Sequence, residues 1–242
     1  MIRSIILPFS RLRALGLGLG LLAIAIGIAA CSDDPAAPQA QGSSHVLTFH
    51  ANHGLTASKF NFKIDTATIA GLNYGEWART LAQNGNRTIK IFNTSGSEVA
   101  ATDVALDSSK SSIAVFCGDD ATREAFRVTS GKITPAGGNC AVRVVHASNN
   151  AGEVVIKINS TNGLSFTTRN LAYKNGSDYV ELPVASTDSL LVMKPGTTDV
   201  LLSVQTRTLL SALKSYTIVL YGSTSSGADP AVRLGSKMIQ ED

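Results

Sequence analysis

The sequence predicts an all-β fold made of two tandem antiparallel β-sandwich domains. Apolar and polar residues alternate in short runs, as in KFNFKID at 59–65 and EVVIKIN at 153–159. Turn pairs such as Ser95-Gly96 and Pro195-Gly196 separate these runs at intervals close to the roughly 8 to 12 residues that sandwiches show. Outside the first thirty residues, no helical period persists for three turns. Strands therefore account for the folded part of the chain.

The first thirty residues indicate a cleaved export signal. Arg3, Arg11 and Arg13 form a basic region, and an uncharged stretch rich in Leu, Ile, Ala and Gly follows over 14–30. This stretch is short for an uncleaved transmembrane anchor, which is the alternative interpretation, and its several glycines weaken a helix.

The end of this stretch resembles the lipobox of bacterial lipoproteins. The motif is Ile28-Ala29-Ala30-Cys31, in which the first three residues are recognised by the signal peptidase and the cysteine receives the lipid. The resemblance implies a bacterial envelope protein held to the membrane through acyl chains on Cys31. Ser32 stands where an aspartate would retain the protein at the inner membrane, so we expect the outer membrane, with the domains facing the periplasm or the cell surface. Residues 31–44 hold the lipidated cysteine and a flexible tether, rich in small residues and proline.

The charge balance excludes one class of partner. The chain has 21 Lys and Arg against 18 Asp and Glu, and the excess of three lies in the signal segment. Because the remainder is neutral, it lacks the basic surface that nucleic-acid binding needs. Motifs for nucleophilic catalysis, zinc hydrolysis, phosphate loops and dinucleotides are also absent, so we expect neither an enzyme nor a cofactor.

The chain also repeats itself. FHAN at 49–52 is echoed by VHAS at 145–148, and IAVFCG at 113–118 is echoed by IVLYG at 218–222. The offset drifts from 96 to 104 residues between these two pairs, as loop insertions between matching strands would produce. We predict repeat 1 at 45–132, a hinge at 133–139, repeat 2 at 140–237 and a tail at 238–242.

The second copy resembles a known family. The segments AVRVVHAS at 141–148, LAY at 171–173 and PGTTDVLL at 195–202 resemble the domain of unknown function 4397 family. The resemblance covers 140–237 more fully than 45–132, and it implies immunoglobulin-like sandwiches on exported bacterial proteins, with no assigned reaction.

Two groups of residues are candidates for a metal site or a disulfide. His45, His50 and His53 lie within nine residues, and imidazoles converging from a strand end could bind zinc or copper. The competing interpretation is structural, because His50 has a counterpart in His146. Cys117 and Cys140 remain after Cys31 is lipidated, and in an exported protein we expect a disulfide between them, with two buried thiols as the alternative.

The function expected from these observations is that of a non-catalytic envelope lipoprotein. Its two sandwiches would bind an unidentified protein or glycan, or serve a structural role. A periplasmic metal-binding protein that uses His45, His50 and His53 is the alternative, although we assign no metal ligands.

Overall fold

The computed structural model describes residues 42–160, 166–167, 170–206, 208–225 and 228–241. The predicted signal segment, with the predicted peptidase recognition residues Ile28, Ala29 and Ala30, lies outside the described residues, and so does Cys31. Within the described ranges, no helix is long and apolar enough to cross a membrane.

Repeat 1 contains eight strands. Their alternating and β-branched residues favour extended backbone, and turns with glycine or asparagine separate them. The strands are β1 (Ser43–His50), β2 (Phe60–Ile64), β3 (Ala67–Leu72), β4 (Trp77–Gln83), β5 (Gly85–Phe92), β6 (Glu98–Leu106), β7 (Lys110–Gly118) and β8 (Arg123–Gly131).

The described residues of repeat 2 form eight further strands. They are β9 (Asn139–His146), β10 (Val155–Ser160), β11 (Phe166–Thr167), β12 (Val180–Pro183), β13 (Thr187–Met193), β14 (Val200–Gln205), β15 (Ser215–Tyr221) and β16 (Gly235–Gln240). Short 3-10 turns at His53–Leu55, Val184–Ser186 and Pro230–Val232 complete the described elements.

The two repeats have the same sheet topology. In repeat 1, an outer sheet in the order β3-β2-β5-β6 packs on an inner sheet in the order β4-β1-β7-β8. In repeat 2, the outer sheet β11-β10-β13-β14 packs on the inner sheet β12-β9-β15-β16, strand for strand the same arrangement. The predicted all-β fold of stacked sheets is therefore confirmed.

Each inner sheet has a parallel pair at its centre. β1 runs parallel to β7, and β9 runs parallel to β15, whereas the other pairs of named strands are antiparallel. A parallel pair needs a crossover connection, and here the chain crosses through the outer sheet before it returns. The antiparallel prediction holds for the rest of each sandwich.

Three apolar cores separate the four sheets. One core lies between the sheets of repeat 1, around Phe62, Ile91 and Phe116. The second lies between the sheets of repeat 2, around Ile156 and Ile218. The third combines residues of both repeats, so the described chain from residue 42 belongs to one compact unit.

The strand limits differ from the predicted segments at two places. Residues 238–240, predicted as a tail, continue strand β16, and β1 begins at Ser43 inside the predicted tether. The predicted hinge connects β8 to β9 beside two sheets that share the third core. Sequence composition marks such a connection as a loop, but does not show whether the elements beside it are packed together.

Candidate functional site

The two repeats meet through the faces of their inner sheets, and we call this contact the joint. Alternate residues of β1 and β7 point into it, including Phe49 and Val115, and so do Val145 of β9 and Val219 of β15. Because the other alternate residues of these strands fill the sandwich cores, the four central strands are buried on both faces. The joint is thus built like a sandwich core, and not like a loose contact between domains.

Contacts across one end of the joint are reciprocal. The ring of Tyr74 lies 5.3 Å from the ring of Tyr221, centroid to centroid. In the equivalent positions of the other repeat, the hydroxyl of Tyr173 lies 3.1 Å from Sγ of Cys117. Each tyrosine follows the third strand of its own repeat and contacts the seventh strand of the other.

The opposite end of the joint is polar and centres on the buried Arg143. Its side chain is 0% exposed, and Nη2 lies 3.1 Å from Oε1 of Glu241. Nε donates to Oγ1 of Thr217 at 2.7 Å, and Nη1 and Nη2 donate to the carbonyl and hydroxyl of Ser111 at 3.2 and 3.0 Å. The protein tolerates this buried charge because all three guanidinium nitrogens donate hydrogen bonds.

Glu241 completes this polar cluster. Its carboxylate accepts hydrogen bonds from the hydroxyls of Ser111, Thr217 and Tyr179, with the Tyr179 oxygen at 2.5 Å. The guanidinium carbon of Arg143 also lies 4.9 Å from the centre of the Tyr179 ring. Burial is the main cause that raises the pKa of Tyr179, so its hydroxyl stays protonated and remains a donor at neutral pH.

A cleft of about 420 Å³ opens beside this cluster, between the two repeats. Its size falls within the range of about 300 to 1,000 Å³ that small-molecule sites occupy. The cleft is lined by His45, Leu47, Arg79, Ser111, Lys132, Ile133, Thr134, Tyr179, Ser215 and Glu241.

The rim and the floor of the cleft differ in chemistry. Arg79 and Lys132 are exposed on the rim, where Nη2 of Arg79 donates to the carbonyl of Gln240 at 2.8 Å and Nζ of Lys132 donates to the carbonyl of Ser108 at 3.0 Å. The floor contains Leu47, Tyr179 and the carboxylate of Glu241, which Arg143 already neutralises. The cleft thus offers cationic donors around a partly apolar floor.

The three histidines of the alternative metal-binding interpretation do not come together among the described residues, and that interpretation therefore fails there. His45 and His50 lie five positions apart on β1, and their side chains therefore point to opposite faces of the inner sheet. His45 lines the cleft, whereas His50 is buried in the repeat 1 core and His53 lies in a 3-10 turn. The described part of the chain holds no group of three or more metal-ligating side chains.

His50 is instead a core residue among aromatic rings. Its ring stacks on Phe116 at 5.5 Å and meets Phe60 and Tyr74 edge to face. Neither ring nitrogen has a hydrogen-bond partner among the described residues, although nearby backbone at Asn73 and Leu72 favours the protonated form. Desolvation dominates and lowers the pKa of His50 from 6.5 to about 4.

Its counterpart His146 takes the structural role that the repeat suggested. Nε2 donates to the carbonyl of Gly152 in a neighbouring loop at 2.7 Å, and Nδ1 accepts from the backbone N–H of Ser148 at 3.3 Å. Burial is the main cause that lowers the pKa of His146. Both bonds fit the neutral ring.

The polar residue two positions after each histidine forms a hydrogen bond across the central parallel pair of its inner sheet. Nδ2 of Asn52 donates to the carbonyl of Cys117 at 3.0 Å, and Oγ of Ser148 donates to the carbonyl of Gly222 at 2.6 Å. Both bonds join the end of the first strand of a repeat to the end of its seventh strand. The repeated His-Ala-Asn and His-Ala-Ser motifs are therefore structural.

The predicted disulfide between Cys117 and Cys140 is wrong for this structure, in which both are buried free thiols. Cys117 points into the joint, while Cys140 points into the repeat 2 core on the other side of an inner sheet. Burial raises the pKa of Cys117 to about 12 and that of Cys140 to about 11. Both thiols therefore behave as small apolar residues.

Sequence reasoning missed the residues of the polar cluster and the cleft rim. Arg143 did carry a signal, because it is the one charge among residues 141–145 (AVRVV), whose other four residues are apolar. A charge in the middle of a strand buried on both faces needs a partner. Glu241 gave no comparable signal, since it lies in a short polar terminus.

Comparison with known families adds an identification. The model for the domain of unknown function (DUF4397) matches residues 44–157. This segment of the chain therefore resembles a DUF4397 domain. The match spans repeat 1 and the first strands of repeat 2, whereas the resemblance noted in the sequence was fuller over 140–237. No curated protein matches the chain.

Among solved structures, a leucine-rich repeat protein from Bacteroides thetaiotaomicron shows 9% identity and a TM-score of 0.20. The match covers 67% of this chain and 24% of that protein. The chain thus spans about a quarter of that structure's length.

Proposed function

We propose that this protein is a non-catalytic lipoprotein of the bacterial envelope that binds a protein or glycan ligand in the cleft between its repeats. The observation that carries the proposal is the cleft itself. It is lined by both repeats, and the packed joint and the Arg143 cluster fix its walls. Sites between domains are a common place for ligands, because two surfaces can enclose more of the ligand than one.

The positions of the strongly perturbed side chains support a binding role. His50, Cys117 and Tyr173 have the displaced pKa values that catalytic groups often show, but burial in packed cores is the main cause for each. None of these three lines the cleft. Tyr179 does line it, but burial is again the main cause that raises its pKa, and its hydroxyl is already bonded to Glu241. The cleft residues offer hydrogen bonds and charge, which suit recognition.

The envelope location rests on the sequence of the first 44 residues. A basic region, an apolar stretch and the lipobox-like Ile28-Ala29-Ala30-Cys31 support lipid attachment at Cys31, and Ser32 supports the outer membrane. Metabolic labelling with a fatty-acid analogue tests this part. We expect label on the wild type and none on Cys31→Ala, and equal labelling of both would contradict lipid attachment.

Binding to the envelope tests the role of the cleft. Polysaccharide and protein fractions of the envelope are immobilised separately, and retention of the purified domains is compared with that of Ile133→Trp. Ile133 lies on the rim of the cleft and is 37% exposed, so an indole placed there narrows the entrance. We expect one fraction to retain the wild type and to bind the Ile133→Trp variant with an affinity about tenfold lower.

The matched control is Leu209→Trp, at a position that is 54% exposed and does not line the cleft. This variant should be retained like the wild type, which excludes a general effect of an added indole. Equal retention of all three proteins would refute the proposed role of the cleft.

A further inference from the structure

We propose that the cleft recognises an acidic glycan, with Arg79 and Lys132 holding a carboxylate of the sugar. This inference rests on the proposed function and names the chemical class of its ligand. Its basis is the combination of charge, hydroxyl groups and apolar surface around one enclosed space.

The charges that face the cleft favour an anion. Arg79 and Lys132 are exposed on its rim, and each uses part of its donor capacity on one backbone carbonyl. Neither forms an ion pair with a described carboxylate within 4.0 Å. Lys132 lies near Asp107, whose carboxylate accepts hydrogen bonds from the backbone and hydroxyl of Ser109 and stays ionised, but Asp107 does not line the cleft.

The acid that lines the cleft does not cancel this charge. Glu241 is only 9% exposed, and its carboxylate is paired with the guanidinium of Arg143 at 3.1 Å. Arg143 and Glu241 neutralise each other, so Arg79 and Lys132 leave a net positive cleft. A carboxylate entering it would gain charge-assisted hydrogen bonds, which are stronger than neutral ones.

The remaining lining suits a sugar. Thr134 and Ser215 carry hydroxyl groups on the walls, and His45 adds an imidazole. Leu47 and Ile133 supply apolar surface for the C–H faces of a ring. This mixture of hydroxyl and apolar groups matches a carbohydrate of one or two rings in about 420 Å³.

The test uses two oligosaccharides of equal length. One is a hyaluronan tetrasaccharide, which alternates glucuronate with N-acetylglucosamine, and the other is fully N-acetylated chitotetraose, which is neutral because it lacks the carboxylates and has no free amine. Calorimetric titration into the wild-type domains should show binding of the acidic tetrasaccharide that weakens as salt is raised, and no binding of the neutral one. Equal binding of the two would overturn the inference.

Two rim variants connect that binding to the cleft. We expect Arg79→Gln and Lys132→Gln each to lower the affinity for the acidic tetrasaccharide by about fivefold to tenfold, because each substitution removes one cationic partner. The control is Lys194→Gln, an exposed lysine in the turn between β13 and β14, which should bind like the wild type. Unchanged affinity in both rim variants would overturn the inference.

Two other anionic probes test whether the ligand is a glycan, an acidic peptide or a lipid surface. Binding of poly-glutamate peptide or of phosphatidylglycerol vesicles in preference to the tetrasaccharide would refute a glycan ligand. If the Ile133→Trp variant loses retention on an envelope fraction but the acidic tetrasaccharide does not bind, the proposed function survives and this inference fails. If retention does not depend on the cleft, the proposed function itself fails.

Discussion

Replacing Arg143 with methionine tests whether the polar cluster stabilises the joint. The substitution keeps most of the apolar stem but removes the guanidinium, which is fully buried and makes hydrogen bonds to Thr217, Ser111 and Glu241. The Glu241 carboxylate would then stay in the joint without its cation. Breaking a buried pair on one side costs about 3 to 5 kcal/mol, because the remaining charge is desolvated and unpaired.

The predicted cost corresponds to a large shift in thermal stability. For a folded region of about 200 residues, 1 kcal/mol changes Tm by roughly 2 to 4 °C, so we expect Tm to fall by about 6 to 20 °C. A double variant, Arg143→Met with Glu241→Met, should recover much of this loss, since apolar replacement of a whole buried pair is often close to neutral.

Tryptophan fluorescence during urea unfolding gives the measurement. Trp77 is the only tryptophan of the chain and packs against the core of the joint, so its emission reports this region directly. Arg123→Met is the control, because Arg123 pairs with Asp120 at the surface and should cost below about 1 kcal/mol. A cost below about 1 kcal/mol for Arg143→Met, or no recovery in the double variant, would refute the reasoning.

Three further changes test other parts of the structure. Since folding lowers the pKa of His50 from 6.5 to about 4, the unfolded chain takes up the proton first, and up to about 3 kcal/mol of stability should be lost as pH falls from about 6.5 to about 4. Unfolding curves against pH should show a smaller loss for His50→Leu, and an identical loss would contradict this assignment. In protein that lacks Cys31, a thiol-reactive dye should label Cys117 and Cys140 only after denaturation, with two dye molecules bound per chain. If neither cysteine is labelled after denaturation, the two form a disulfide. Gly118→Ala should lower Tm well below that of Gly196→Ala, since both glycines have positive φ but an added Cβ meets a backbone oxygen at 1.7 Å only at Gly118; equal Tm values would argue against this close contact.

The strands and the repeat could be predicted because each depends on local patterns. Alternation in KFNFKID reports one buried face, and the matched FHAN and VHAS segments mark equivalent strand ends. The joint was not predicted, although two of its strands contain the continuous apolar runs IAVFC and TIVLY. A continuous apolar run shows that both faces of a strand are buried, but it does not say which sheet covers the second face.

The failed disulfide has a similar cause. The number of thiols can be read from the sequence and an export signal is predicted from it, whereas pairing depends on which face of a strand each cysteine occupies. Cys117 shares a face with Val115, and Cys140 shares a face with Val142, so an inner sheet stands between them. The cleft could not be predicted for the same reason, because its walls come from strand ends that are distant in sequence.

The reciprocal contacts give the joint the form of an interface between two copies of one domain. Tyr74 meets Tyr221 while Tyr173 meets Cys117, which is the arrangement of a two-fold symmetric dimer interface in which each half offers the same patch to the other. Because both copies belong to one chain, equivalent positions need not carry the same residue. Arg143 stands in repeat 2 where repeat 1 has Leu47, so the two walls of the cleft differ, which a symmetric dimer of identical chains would not allow.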